Sequence, residues 1–164
     1  MDRPRPKAAP EWQIDRWFNS ERHLALADFR GRVVALHAFQ MLCPGCVRNG
    51  IPQAQRIAQT FDAAQVAVVG LHTVFEHHEA MTPLALAAFL HEYRVTFPVG
   101  VDVPAANGPI PQTMAAYGMQ GTPTLLLIDR WGRLRKHSFG TEDDMRVGAD
   151  IASLLAEKER TDDP

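Results

Sequence analysis

The run Val33-Val34-Ala35-Leu36-His37-Ala38-Phe39 is apolar at every position but His37, and it predicts a buried strand. Behind it Val47, Ile51, Ala54, Ala58 and Phe61 recur at helical spacing. Residues 66–71, Val-Ala-Val-Val-Gly-Leu, form a second β-branched apolar run and a second buried strand. Thr82 and Pro83 suit a helix start, with Leu86, Phe89, Leu90 and Tyr93 as its apolar face. A short strand is expected over 97–101 and a short helix over Gln112–Tyr117. Residues 125–128 and Leu134–Phe139 flank Asp129-Arg130-Trp131-Gly132 as a hairpin. Thr141 with Asp144 resembles a capping box for a last helix bearing Val147, Ile151, Leu154 and Leu155. At the other end, Ile14–Phe18 and 24–26 read as a hairpin or paired edge segments, and 28–31 as a turn into the first central strand. Strands and helices alternate, then an antiparallel hairpin closes the sheet. The pattern is that of an α/β domain.

Composition narrows this to one ordinary globular domain. The chain has 164 residues, 46% of them hydrophobic and 22% charged, with a net charge of −2. Nothing in that balance points to nucleic acid as a partner. No apolar run approaches the roughly 20 residues of a membrane-spanning helix. The start, Met1-Asp2-Arg3-Pro4-Arg5-Pro6-Lys7, is basic but has no apolar core behind it, so it reads as a cytoplasmic terminus and not as a secretory signal. Export from a longer precursor is the alternative. The expected organisation is a disordered stretch over 1–9, a domain over 10–158 and a polar tail over 159–164.

The candidate chemistry lies between the first strand and the first helix. Cys43 and Cys46 are the only two cysteines, in Cys43-Pro44-Gly45-Cys46. Thiols three positions apart at a helix start approach closely enough for a disulfide, which makes a two-electron switch. The N-terminal sulfur faces the first amides of the helix, and these stabilise the thiolate, the nucleophile of disulfide exchange. The other reading of C-x-x-C is half a zinc site. That reading needs a second ligand pair, and the sole close one, His77-His78, consists of adjacent residues that diverge. Strand, dithiol and helix in that order favour redox chemistry, with no metal and no cofactor expected.

Together with Phe97-Pro98-Val99, Asp102 and the segment Tyr117-Gly118-Met119-Gln120-Gly121-Thr122-Pro123-Thr124, the dithiol resembles the thioredoxin superfamily. Within it the chain is similar to redoxin-type thiol–disulfide oxidoreductases, related to cytochrome c maturation thioredoxins and to the alkyl hydroperoxide reductase/thiol-specific antioxidant group. The resemblance spans about residues 10–158. It implies a thioredoxin-like fold: a central mixed β-sheet flanked by helices. The segment 12–26 matches an N-terminal extension, and 72–97 an insertion between the dithiol and a cis proline. It implies Cys43 as the attacking thiol, Cys46 as the resolving thiol, and a cis Thr122–Pro123 bond beside them that exposes the Thr122 backbone to substrate. An ordinary trans turn is the alternative at Pro123. Two departures concern the partner. Leu42 stands where the family usually has tryptophan, and 47–52 lacks the acidic residue of cytochrome-maturation members. Leu36 and Gln40 occupy the positions of a peroxiredoxin's proline and threonine, so the motif does not support peroxidase activity.

His37 lies six residues before Cys43, matching the buried acid of thioredoxin. It is read as a proton acceptor for Cys46, or else as a packing histidine bonded to backbone. His72, His77 and His78, beside Glu76 and Glu79, read as a solvated loop, with a metal or substrate contact as the alternative. The expected activity is exchange of the Cys43–Cys46 pair with a disulfide-bearing protein or a small thiol, renewed by an unidentified electron donor. Two other classes remain at this point: a copper carrier using the two cysteines and a histidine, and a non-catalytic interaction domain.

Overall fold

The computed structural model describes residues 5–158. Its six strands are β1 (Ile14–Phe18), β2 (Val33–Phe39), β3 (Val66–His72), β4 (Val99–Asp102), β5 (Thr124–Ile128) and β6 (Leu134–Phe139). They form one sheet in the order β1-β4-β3-β2-β5-β6. Neighbours β2, β3 and β4 run parallel, while β1, β5 and β6 pair antiparallel with β4, β2 and β5. The sheet is therefore mixed, and its helices are α1 (Ile51–Thr60), α2 (Pro83–Glu92), α3 (Gln112–Tyr117) and α4 (Asp144–Ala156). This is the thioredoxin-like fold.

The period of two along β2 divides the core into two layers. Val33, Ala35 and Phe39 face Ile51, Ala54 and Ile57 of α1, Leu86 and Leu90 of α2, and Ile151 of α4. Val34, Leu36 and Ala38 face the other way, against Trp12, Leu26 and Phe29 of the extension and Met114 and Tyr117 of α3. Every β2 residue is buried, which explains a run with no polar alternation.

The extension behaves differently from the expected hairpin. After β1, Asn19 turns the chain in the left-handed region (φ 58°), and its Nδ2 donates to the carbonyls of Val95 and Phe97 at 2.9 and 3.0 Å. β1 is thereby tied to the strand after residue 97 and pairs with β4, and no strand forms over 24–26. Leu26–Phe29 is instead a short 3-10 turn that buries Leu26 and Phe29. The disorder expected over 1–9 does not hold for 7–9. Ala8 bridges Arg133, Ala9 N–H donates to the Gly132 carbonyl, and Leu134 N–H donates to the Lys7 carbonyl, because the turn at 129–132 leaves backbone groups for an added strand. Residues 1–4 and the expected polar tail over 159–164 lie outside the described residues.

Two helix details differ as well. The helix after the dithiol does not run regularly from its start. Cys46–Gly50 is a π turn, in which Ile51 N–H donates to the Cys46 carbonyl. Pro52 has no N–H and its ring crowds the carbonyl four residues back, which favours the wider turn. The buried face carries Cys46, Gly50, Ile51, Gln53, Ala54 and Ile57, so the expected Ile51 and Ala54 hold their places while Ala58 faces solvent. The α4 cap is Asp143, not Thr141. Asp143 Oδ1 accepts from Met145 N–H at 3.0 Å and Arg146 N–H at 3.3 Å. Asp144 is unavailable for a capping box because Arg56 and Gln53 hold its carboxylate.

Candidate active site

Pro44 and Gly45 open the helix, and Val47 N–H donates to the Cys43 carbonyl at 3.1 Å. Cys43 and Cys46 form a disulfide, their Cα atoms 5.2 Å apart. Their environments differ. Cys46 is fully buried in the layer between β2 and α1, whereas Cys43 is partly exposed at the rim. Cys46 N–H donates to Cys43 Sγ at 3.2 Å, so the first helical amides do face the outer sulfur. Charge on that sulfur is favoured by the amide and by the helix dipole together.

The Thr122–Pro123 peptide is cis and lies against the same sulfur. Cys43 Sγ is 3.5 Å from the Thr122 carbonyl oxygen. Thr122 is half-buried, while Pro123 is buried among the dithiol helix, β2 and the β6 end. Glycine makes this approach possible. A Cβ on Gly45 would sit 3.3 Å from Pro123 Cδ, and one on Gly50 would sit 3.1 Å from Pro123 Cβ and 2.6 Å from His37 Cε1. Gly140 N–H donates to the Pro123 carbonyl at 2.8 Å, fixing the loop to the end of β6.

His37 lies under the π turn, on the β2 face that carries Ala35 and Phe39. It is 2% exposed, and its Nδ1 has no hydrogen-bond partner among the described residues. Burial lowers its pKa to about 4, so it is neutral at pH 7 and does not titrate near neutrality as the sequence suggested. A polar cavity of about 40 Å3 adjoins it, walled by Gly50, Gln53 and Glu142 and reaching exposed Arg56 and Thr141 at its mouth. Gln53 Nε2 donates to the Glu142 carbonyl at 2.8 Å and to Asp144 Oδ1 at 3.0 Å, joining α1 to the loop before α4.

His72 ends β3 and is buried, not part of a solvated loop. Its Nε2 accepts from Met41 N–H at 3.3 Å, and its ring centroid is 5.1 Å from that of Phe39. Its pKa too is lowered to about 4 by burial, which suits an acceptor. Buried Gln40 adds a second anchor. Its side-chain oxygen accepts from Phe75 N–H at 3.1 Å, and its backbone carbonyl accepts from Cys43 N–H at 3.2 Å. The turn that presents Cys43 is thus tied to the insertion. His77 and His78 are exposed in the loop beyond. Among the described residues no group of three His, Cys, Asp or Glu is placed to hold a metal ion.

The model of the AhpC/TSA family matches residues 6–137. The chain belongs to the AhpC/TSA family. The crystal structure of a thioredoxin-like superfamily protein is 60% identical, with a TM-score of 0.92 over 94% of this chain and 99% of that one. The structure of a thiol-disulfide isomerase from Corynebacterium glutamicum is 47% identical, with a TM-score of 0.87 over 92% of this chain and 98% of that one. The thiol-disulfide oxidoreductase ResA of Geobacillus thermodenitrificans (strain NG80-2) is 26% identical over 120 residues, 73% of this chain. The chain spans 62% of the length of that curated relative.

In this member of the AhpC/TSA family, the structure brings Cys43, Cys46, Thr122 and Pro123 into one cluster, with His37 behind it under Gly50. Sequence reasoning missed Gly50, Gln53 and Glu142. Gly50 carried a signal, since a glycine inside a helical pattern costs stability and implies close approach by another group. Gln53 and Glu142 carried none. They matter because α1 and the loop before α4, 89 residues apart in the chain, meet here.

Proposed function

We propose that this AhpC/TSA-family chain is a thiol–disulfide oxidoreductase acting on disulfide-bearing proteins or small disulfides. The observation that carries the reading is the asymmetry of the dithiol: a rim sulfur beside the Thr122 carbonyl and the Cys46 amide, over a buried partner. The names of the oxidoreductase and isomerase relatives support it.

In the reduced protein, the Cys43 thiolate attacks a substrate disulfide. A Cys43–substrate bond forms, and the first substrate thiolate leaves. An extended substrate can lie along the free backbone of Thr122, whose carbonyl borders Cys43. Cys46 then loses its proton and attacks Cys43. The Cys43–Cys46 bond forms, and the second substrate thiolate leaves and is protonated. Two electrons have passed to substrate, and an external dithiol donor returns them. In the reverse direction the same steps oxidise a dithiol, and the potential of the pair sets the direction. His37 serves as the proton acceptor for Cys46. A thiol of ordinary pKa, about 8.5, is mostly protonated at pH 7, so Cys46 needs an acceptor; burial makes His37 a weaker base than a free imidazole, so it takes the proton in step with the attack and does not hold it.

Trapping tests the division of labour. Cys46→Ser should accumulate a mixed disulfide with a substrate such as insulin, through Cys43, and Cys43→Ser should accumulate none. Equal trapping by both variants, or none by either, would remove the two-step reading.

A further inference from the structure

Two buried polar side chains take no part in the exchange steps: Gln40, just past the end of β2, and His72, the last residue of β3. The two strands are paired there, with Phe39 opposite His72. Buried polar groups are held by hydrogen bonds, and the bonds of these two converge on the turn from Gln40 to Cys43. Cys43 N–H donates to the Gln40 carbonyl at 3.2 Å and closes that turn. Inside it, Met41 N–H donates to His72 Nε2 at 3.3 Å. The Gln40 side chain reaches the other way. Its Oε1 accepts from Phe75 N–H at 3.1 Å, and its Nε2 donates to Glu76 Oε1 at 3.4 Å. The turn has little packing of its own, since Met41 is buried but Leu42 is 57% exposed.

The root of the insertion, residues 72–76, is fixed independently of the turn. Thr73 N–H donates to the Phe39 carbonyl at 3.1 Å and prolongs the β2–β3 ladder. Thr73 Oγ1 donates to Asp102 Oδ2 at 3.0 Å. Asp102 also accepts from the Thr113 and Met114 N–H groups at 2.8 and 3.0 Å, so one buried carboxylate ties the root to β4 and α3. The His72 ring rests on Phe39, their centroids 5.1 Å apart. On the other side of the turn, Cys43 Sγ accepts from Cys46 N–H at 3.2 Å. Cys46 is set in the core, so the length of that bond depends on where the turn puts Cys43. Such a bond favours charge on sulfur only within reach, and it weakens as it lengthens or tilts.

We propose that His72 and Gln40 are positioning residues for the exchange reaction: from the root of the insertion they clamp the turn that carries Cys43, hold its sulfur against the Cys46 amide, and so favour the Cys43 thiolate. The proposal rests on the exchange reading above and adds what sets the reactivity of its nucleophile. Both residues act through the backbone of the turn, His72 at Met41 and Gln40 at Cys43. A turn released from the clamp lets the sulfur move off the amide, and less of Cys43 is then thiolate at neutral pH. The redox balance follows, because the thiolate exists only in the reduced protein. Stabilising it favours the dithiol over the disulfide and makes the pair a stronger oxidant. Loss of the clamp should make the pair more reducing and its nucleophile slower.

Three variants separate the clamp from plain packing. His72→Phe keeps a ring on Phe39 and removes the acceptor. His72→Gln puts an amide oxygen near the place of Nε2 and restores an acceptor. Gln40→Met keeps the length of the side chain and removes its bonds to Phe75 and Glu76. Iodoacetamide alkylation of the reduced protein, followed from about pH 5 to about pH 9, reads the Cys43 thiolate. At the acid end His72→Phe and Gln40→Met should react about fivefold more slowly than the parent, as when a charge-assisted hydrogen bond is weakened but not lost. At the alkaline end they should match it, and His72→Gln should follow the parent throughout. In equilibrium with glutathione, two glutathione thiols reduce the Cys43–Cys46 disulfide and leave as glutathione disulfide. That balance should move toward the protein disulfide in His72→Phe and Gln40→Met, by up to about fivefold. Parental alkylation profiles in both variants, even with lowered urea midpoints, would reduce the clamp to a structural contact. Slow alkylation in His72→Gln would assign the effect to the ring and overturn the acceptor role. Should His72→Phe not fold, Gln40→Met alone decides, since it releases the same turn. A parent protein that neither equilibrates with glutathione nor traps insulin would remove the exchange reading itself, whereas parental exchange with unchanged variants would remove the clamp alone.

Discussion

Gly50 shows how a single missing methyl group shapes the site. A Cβ there would lie 2.6 Å from His37 Cε1, closer than real Cβ contacts come, with Pro123 Cβ at 3.1 Å on the other side. Gly→Ala in a helix normally gains up to about 1 kcal/mol. Overpacking a tight core costs about 1–3 kcal/mol. Because His37 is buried and Pro123 is pinned by Gly140, neither neighbour can yield cheaply, and the clash decides the sign. Gly50→Ala should therefore lower stability by about 1–2 kcal/mol in denaturant unfolding. Gly45→Ala, whose Cβ would find Pro123 Cδ at 3.3 Å, should change it much less. A Gly50→Ala protein as stable as the parent would show that His37 and Pro123 yield to the added methyl group without cost.

The helices owe their limits to neighbours as much as to their own residues. Thr82 caps α2 as its local sequence suggests, accepting from Ala85 N–H at 3.2 Å. α4 begins later than Thr141 implies, because Arg56 and Gln53 of α1 take the Asp144 side chain and leave capping to Asp143. Asp143→Ala should cost about 1 kcal/mol, the usual value for an N-cap, and Thr141→Ala should cost almost nothing. Thermal or denaturant unfolding of the two variants checks this, and a larger loss at Thr141 would restore the capping box. The π turn at Cys46–Gly50 has a local cause instead, Pro52, which the apolar spacing alone does not register. Of the expected stripe, Ile51 and Ala54 are buried and Phe61 packs partly against the core, whereas Val47 is half-buried, Ala58 faces solvent and Ile57 takes its place on the buried face.

Across the whole molecule, two buried histidines from adjacent strands link stability to pH. His37 and His72 have folded-state pKa values lowered to about 4 from 6.5, in both cases by burial. The unfolded chain thus binds more protons than the folded one between about pH 6.5 and 4, and stability rises with pH across that window. Lowering the pH from 7 should cost stability progressively until it passes the folded values near 4. Asp102 acts in the opposite sense at the low end, since burial raises its carboxyl and the folded form takes up that proton first. Urea midpoints measured from pH 7 to 4 should fall steadily, and the fall should shrink in His37→Gln and in His72→Gln. A flat profile would mean that water reaches these rings in the folded state.

The apolar runs and the dithiol motif sufficed for the strands β2 and β3, the closing hairpin, the short α3 and the place of the dithiol at a helix start. Those features are local: a buried strand needs an unbroken apolar run, and a C-x-x-C pair at a helix start contains its own geometry. The partner of β1, the capping of α4, the burial of His72 and the cavity between His37 and Glu142 were set by packing. Each depends on residues far apart in the chain, and burial changed what those residues do. It holds His37 neutral where its ordinary pKa suggested a titrating group, and it turned Gln53 and Glu142, with no motif around them, into walls of the cavity beside it.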